Sequence, residues 1–158
     1  MQTDLPNRSE MIAKLDQILQ HELAGVVRYT HYSFMIFGYS RIPVVSWFRG
    51  AANETLLHAT EAGEMITMLG GHPSLGIGSL LETHEHDMAE ILKESMAFEI
   101  EGVQLYRDLL VLAEKAGSIT LEEYARRLIS EEAVHISDID KMLRRPGDVE
   151  QAIEHEAP

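Results

Sequence analysis

The sequence predicts an all-α protein, a four-helix bundle of two antiparallel helix pairs joined by one long crossover. Apolar residues recur at steps of three and four through four long segments, the period of one helix face. No segment reads as a strand. The connections within each half are short, while the Gly70–Glu82 stretch between the halves is longer and broken by glycine and proline.

The first helix is expected from near Ser9 to about Phe37. Ile12, Leu15, Leu19, Glu22, Val26, Tyr29 and Ser33 share one face, and Gly38 fits the end. Arg41-Ile42-Pro43 reads as a short connection. Helix two is expected to open at Ser46 as N-cap and to stop at Gly70-Gly71, just before Pro73. Its inner face reads Trp47, Ala51, Glu54, His58, Glu61, Met65 and Met68. Helix three has two candidate starts, the capping box Ser79-Leu80-Leu81-Glu82 and Thr83. Its face reads Met88, Leu92, Ser95, Glu99, Gly102, Tyr106, Leu110 and Ala113, and Lys115-Ala116-Gly117 ends it. Thr120-Leu121-Glu122-Glu123 is a second capping box and opens helix four. That helix presents Leu121, Ala125, Leu128, Glu132, His135, Ile139 and Met142, and ends near Arg144. A helix of about 25 residues is roughly 38 Å long, and about twelve extended residues reach roughly 40 Å. The middle stretch can therefore run the length of a bundle.

At 158 residues the chain fits a single domain, 1–158, with a short arm (1–8) and a short acidic tail (146–158). Its formal net charge of −13 disfavours nucleic acid and anionic membranes as partners. The absence of cysteine excludes disulfides, zinc–thiolate sites, iron–sulfur clusters and thiol nucleophiles together. Met1-Gln2-Thr3-Asp4-Leu5-Pro6 is too polar for a signal peptide. No run approaches the roughly 18 apolar residues of a membrane span, so a cytoplasmic location is expected.

Each inner face carries one carboxylate near its middle: Glu22, Glu54, Glu99 and Glu132. Helices two and four add His58 and His135. Buried unpaired carboxylates are costly, so four at one level need a cation among them. The spacing is doubled. Glu22 precedes His58 by 36 residues, and Glu99 precedes His135 by the same interval. An offset of 77 residues places Glu22 on Glu99, Tyr29 on Tyr106, Glu54 on Glu131, His58 on His135 and Glu61 on Asp138. Two helix pairs related by a pseudo-twofold axis would set their ligands symmetrically around two metals. Carboxylates with a few imidazoles suit iron or manganese, with zinc as a further option.

At these residues the sequence resembles the bacterioferritin and ferritin-like family, from about Ile12 to Leu143. The matching pieces are Gln20-His21-Glu22-Leu23-Ala24 with Tyr29, His58-Ala59 followed by Gly70-Gly71-His72-Pro73, Phe98-Glu99-Ile100-Glu101-Gly102, and Glu131-Glu132-Ala133-Val134-His135. The resemblance implies a ferritin-like bundle with two irons per subunit. It makes Glu22, His58, Glu99, Glu132 and His135 ferroxidase ligands, with Glu99 and the second-helix glutamate as bridges. Tyr29, and Tyr106 by the repeat, stand behind them as hydrogen-bonding partners.

The chain departs from the family pattern in three places. The family's second helix has Glu-x-x-His, but Thr55 stands at that glutamate and the carboxylate is one residue earlier, at Glu54. Glu54 lies about 40° from His58 on the helical wheel, the same face, so it is the expected ligand; a bulge that corrects the register is the alternative. By the repeat, Glu131 competes with Glu132 in helix four. Leu56 occupies the place of the family's haem-binding methionine, so no haem is expected. Met65 and Met68 read as core. The tail after Pro146 is short and acidic, unlike a cage-forming fifth helix, so a dimer or another homo-oligomer is expected over a 24-subunit shell.

Of the remaining features, His84-Glu85-His86 reads as a solvated surface cluster and His21 as exposed or at an interface. Gly25, Gly63 and Gly102 read as sites of close packing. Tyr32, Phe34, Tyr39, Trp47 and Phe48 exceed the needs of one inner stripe and suggest a dimer surface. The leading functional expectation is a ferroxidase that oxidises Fe(II) with O2 or peroxide, in storage or detoxification. The alternatives are a non-storage di-iron redox enzyme and a metal-free helical scaffold.

Overall fold

The structure, a computed structural model, describes residues 4–152. Their regular structure is four long helices: α1 (Arg8–Met35), α2 (Arg41–Met68), α3 (Met88–Ala116) and α4 (Ile119–Leu143). The all-α expectation holds, and no strand occurs among the described residues.

Three helix starts differ from expectation. α2 begins at Arg41, behind Ser40, and takes Pro43 into its first turn. There the missing proline N–H would have had no intrahelical partner, so the residue costs nothing. α3 begins at Met88 and uses neither Ser79 nor Thr83. Asp87 caps it, its carboxylate accepting from the Ala89 N–H at 3.0 Å. α4 opens behind Ser118 and not at Thr120. Gly117 takes a left-handed φ of 65° between α3 and α4, and the Ser118 N–H closes back on the Ala113 carbonyl at 3.0 Å. α4 ends at Leu143 as expected, and Asp148–Ala152 is not helical. The rest of the tail, 153–158, lies outside the described residues.

α1 packs chiefly on α2, α3 on α4, and α1 also on α3. The pairs run antiparallel: Arg8 of α1 reaches the Leu69 carbonyl, and Arg49 of α2 reaches Ser33. Between the pairs, the crossover from Leu69 to Asp87 lies along α1 and rises with it. Ser74 N–H donates to Asp16, Gly78 N–H to the Gln20 carbonyl, and Glu82 meets His31. Gly78 permits this approach, since a Cβ there would stand 2.9 Å from the Gln20 carbonyl oxygen.

The buried face of α2 is rotated from the expected stripe. Phe48, Ala52, Thr55, His58, Ala59, Ala62 and Ile66 point inward, while Trp47, Glu54, Glu61, Met65 and Met68 are only half-buried at its flank. Phe48 and Ile66 are fully buried, and burying large apolar groups decides the rotation against a stripe keyed on Glu54. Tyr32 and Phe48 are thereby core residues, and of the suggested surface aromatics Phe34 and Tyr39 are exposed.

The apolar core is divided in two. One cluster includes Leu15, Ile66, Leu109 and Leu128, and the other includes Tyr32, Phe48, Leu92 and Ile139. Between them lies a layer of buried polar side chains, Glu22, His58, Glu99 and Glu132.

Candidate metal centre

Each helix delivers one element of that layer: Glu22 from α1, His58 from α2, Glu99 from α3, and Glu132 with His135 from α4. Glu132 and His135 share a face because they are three residues apart on a helix. Glu132 is central. Its Oε1 lies 2.9 Å from His58 Nδ1 and its Oε2 lies 3.4 Å from His135 Nδ1. Glu22 Oε2 stands 3.9 Å from the same His58 nitrogen. Glu22, His58 and Glu132 can each offer one ligand atom so that all three lie within 4.8 Å of one another, and so can Glu99, Glu132 and His135.

The pseudo-twofold axis is visible in the second layer of contacts. Tyr29 of α1 donates to Glu99 of α3, and Tyr106 of α3 donates to Glu22 of α1 at 2.7 Å. His135 Nε2 lies 3.0 Å from Glu54, and His58 Nε2 lies 3.2 Å from Glu131. Each histidine is thus held from outside by a carboxylate of the facing helix. The same axis sets Phe98 against Gly25 and His21 against Gly102. His21 is not a free surface group: its ring stacks on Phe98 at 3.9 Å with 7° between planes, and its Nε2 meets the Phe98 carbonyl.

Glu54 therefore stands at the rim of the layer. Its side chain is 43% exposed, against 5% for Glu132. Its repeat mate Glu131 has the matching place, at 37%. Both lie toward the Nε2 side of a histidine, away from the Nδ1 atoms that face Glu132. Thr55 is buried, and its hydroxyl donates to the Ala51 carbonyl at 2.8 Å. Leu56 is exposed on the outer side of α2. The sequence did not single out the outward roles of Glu54 and Glu131 on the histidines; the cross-pairing under the 77-residue offset was their one available signal.

The electrostatics of the layer are unfavourable without a cation. Burial first, and the Glu132 charge second, push the Glu22 carboxyl up to about 8. The same two causes hold Glu99 well above the carboxylate range. Burial alone would lower His58, but Glu132, Glu22 and Glu131 outweigh it and raise it to about 9. Glu132 moves the other way: burial opposes its charge, but Glu99 and His135 as hydrogen-bonding partners, with His58 close by, hold it below the usual range. His135 is raised, chiefly by Glu132. His58 Nδ1 is buried and, although near Glu132, has no aligned hydrogen-bond partner. An inward ring nitrogen without an aligned partner, beside three buried carboxylates, has the form of a metal-binding set.

Among solved structures, the chain is similar to a ferritin-like, diiron-carboxylate protein from Bacillus anthracis, with a TM-score of 0.83 and 22% identity over 87% of this chain and 98% of that one. It is also similar to Rhodobacter capsulatus bacterioferritin, described with a metal-free dinuclear site and haem iron, with a TM-score of 0.77 and 21% identity over 84% of this chain and 82% of that one. At these identities the likeness is one of fold. No curated protein matches the sequence. The model of the ferritin-like domain matches residues 12–146, nearly the whole of the four helices and the crossover, and on that match the chain belongs to the ferritin-like domain family.

Proposed function

We propose that the protein is an oxidoreductase of the ferroxidase type, which takes Fe(II) as substrate and O2 or peroxide as oxidant. The observation that carries the reading is the Glu132 carboxylate, buried between two inward-facing imidazole nitrogens with Glu22 and Glu99 on either side. Three carboxylates and two imidazoles fit iron by donor chemistry. In this reading Glu22, His58, Glu99, Glu132 and His135 would hold the iron. Iron bound there would supply one-electron redox chemistry.

The chain's own groups supply the rest. Tyr106 and Tyr29 fix the carboxylates of Glu22 and Glu99 by donating to them. Glu54 and Glu131 accept from the outward imidazole nitrogens, which orients the rings and leaves each Nδ1 free to bind. Metal binding favours the ionised forms of Glu22 and Glu99, against the upward push of burial on both. The two apolar clusters lie above and below the buried carboxylates Glu22, Glu99 and Glu132.

Anaerobic Fe(II) titration tests this. About two irons per chain should bind, oxidant should then produce ferric absorption, and Glu132→Ala should lose both effects. A pure protein that takes up no iron sinks the proposal. If the pure protein takes up no iron and His58→Ala/His135→Ala leaves folding unchanged, the metal-free scaffold is the correct reading.

A further inference from the structure

Away from the bundle centre, His31 of α1 meets the crossover at Glu82 and His86. His31 Nε2 lies 2.8 Å from Glu82 Oε2, and His86 Nε2 lies 3.2 Å from Glu82 Oε1. His84 Nδ1 stands 3.8 Å from that second oxygen. Donor atoms of His31, Glu82 and His86 fall within 4.8 Å of one another. The His31 and His86 rings are 6.4 Å apart by centroid, and those of His84 and His86 are 6.2 Å apart. Three imidazoles thus surround one carboxylate, and they come from two segments far apart in sequence. The local run His84-Glu85-His86 shows none of this, which is why it reads as a solvated patch.

The carboxylate is held in place and held ionised. The His84 N–H donates to Glu82 Oε1 at 2.6 Å, from a residue in the left-handed region with φ 58°. That backbone bond first, and then His31 and His86, keep the Glu82 carboxyl down at about 2. The donors suit a specific class of ion. Zinc takes imidazole nitrogens and carboxylate oxygens at about 2.0–2.2 Å in a tetrahedron, which puts neighbouring donors roughly 3.3–3.5 Å apart. Glu82 already stands 2.8 Å from His31 and 3.2 Å from His86, so these three donors come close to that spacing, with a water completing the tetrahedron. Hard cations such as magnesium would want oxygen donors in place of the imidazoles.

We propose that His31, Glu82 and His86 form a surface site for one divalent cation of the zinc class, which pins the crossover to α1. The site shares no residue with the bundle centre and does not depend on the reading of that centre.

Zinc alone is the probe. Metal-stripped wild type, His31→Ala/His86→Ala and His58→Ala/His135→Ala are dialysed against micromolar Zn(II), and zinc per chain is counted by elemental analysis. The surface variant should hold one zinc fewer than wild type, and the central variant should keep that zinc. Glu82→Gln, a milder change on the exposed crossover, should lose it as well. Hydrogen exchange gives a second readout: zinc should slow exchange across residues 74–87 in wild type and in the central variant, and not in the surface variant. Equal zinc content in wild type and surface variant, or no zinc-dependent protection of the crossover, overturns the proposal.

Discussion

Thr55 occupies on α2 the place that Glu132 occupies on α4. The two are related by the same 77-residue offset that pairs Glu54 with Glu131 and His58 with His135. Glu132 stands between two imidazoles, whereas the Thr55 hydroxyl turns back to the Ala51 carbonyl of its own helix. The layer is therefore symmetric in its tyrosines, histidines and outer carboxylates, and asymmetric at its middle.

Replacing that threonine tests the asymmetry. Thr55→Glu adds a fourth carboxylate to a layer where Glu22 and Glu99 are already pushed toward their protonated forms. An added buried charge without a counter-charge should cost the metal-free protein on the order of 3 kcal/mol. Metal should more than recover this, because the new carboxylate faces the place that Glu132 serves from the other side. Calorimetry with and without Mn(II) should show a lower melting temperature without metal and a larger metal-induced rise than in wild type. A metal-induced rise no larger than that of wild type would mean that Thr55 does not mark a missing ligand.

The roles of Glu54 and Glu132 separate by magnitude. Glu54 touches the outer nitrogen of His135, while Glu132 touches the inner nitrogens of both histidines. Loss of an outer partner of a ligand typically weakens metal binding by about 10–100-fold. Glu54→Gln should therefore weaken Fe(II) binding within that range and leave the stoichiometry intact. Glu132→Gln should abolish binding in the same anaerobic titration. Equal losses in the two variants would place Glu54 among the direct ligands.

This pair also marks how far the sequence is legible. Periodicity located four helices and the crossover, because each helix buries an apolar face long enough to register over many turns. The repeat located Glu22, Glu99, His58 and His135 at one level. The rotation of α2 was not legible, because Glu54 and Thr55 both fit the helical wheel near His58. Only the burial of Phe48 and Ile66 against the other helices decides between them. The helix starts failed for a related reason. Ser79 and Thr83 offer valid capping chemistry, but the crossover is hydrogen-bonded to α1 from Ser74 to Glu82 and Asp87 caps α3, while the left-handed turn at Gly117 starts α4 ahead of Thr120.

Without metal, stability should fall as pH rises from about 6.5 to 8. Glu22 is raised to about 8 in the fold, so above its unfolded value the native state holds a proton that the unfolded chain has released. His58, raised to about 9, acts in the same direction: its contribution is complete below its unfolded value and is lost as pH climbs toward 9. Glu132, with its lowered value, contributes above the ordinary carboxylate range and loses that only in acid, outside this window. Each proton held only by the native state contributes a slope of about 1.4 kcal/mol per pH unit. Metal binding reverses the trend, since it requires those protons to leave. Urea unfolding across the window should show falling stability for the stripped protein and a widening gap to the metal-loaded one. A flat profile for the stripped protein would contradict the shared protons of the layer.

The glycines inside the helices divide by what faces them. A Cβ at Gly25 would stand 2.7 Å from the Thr55 methyl and 2.9 Å from the Phe98 ring, both on buried side chains. One at Gly102 would meet only the His21 ring, at 3.1 Å, and one at Gly63 would meet nothing within 4 Å. Alanine in place of helical glycine gains about 1 kcal/mol from backbone entropy, while overfilling a packed core costs about 1–3 kcal/mol. Gly63→Ala should therefore stabilise by about 1 kcal/mol. Gly25→Ala should be neutral at best and destabilise by up to about 2 kcal/mol. Gly102→Ala should fall between them, because a half-buried imidazole can shift by a few tenths of an ångström. Denaturant midpoints of the three variants against wild type give the order directly. If Gly25→Ala gains as much as Gly63→Ala, the contact between α1, Thr55 and Phe98 is looser than the distances state, and the close approach of α1 to α3 at this level would have to rest on the His21–Phe98 stack and the Tyr29–Glu99 and Tyr106–Glu22 hydrogen bonds.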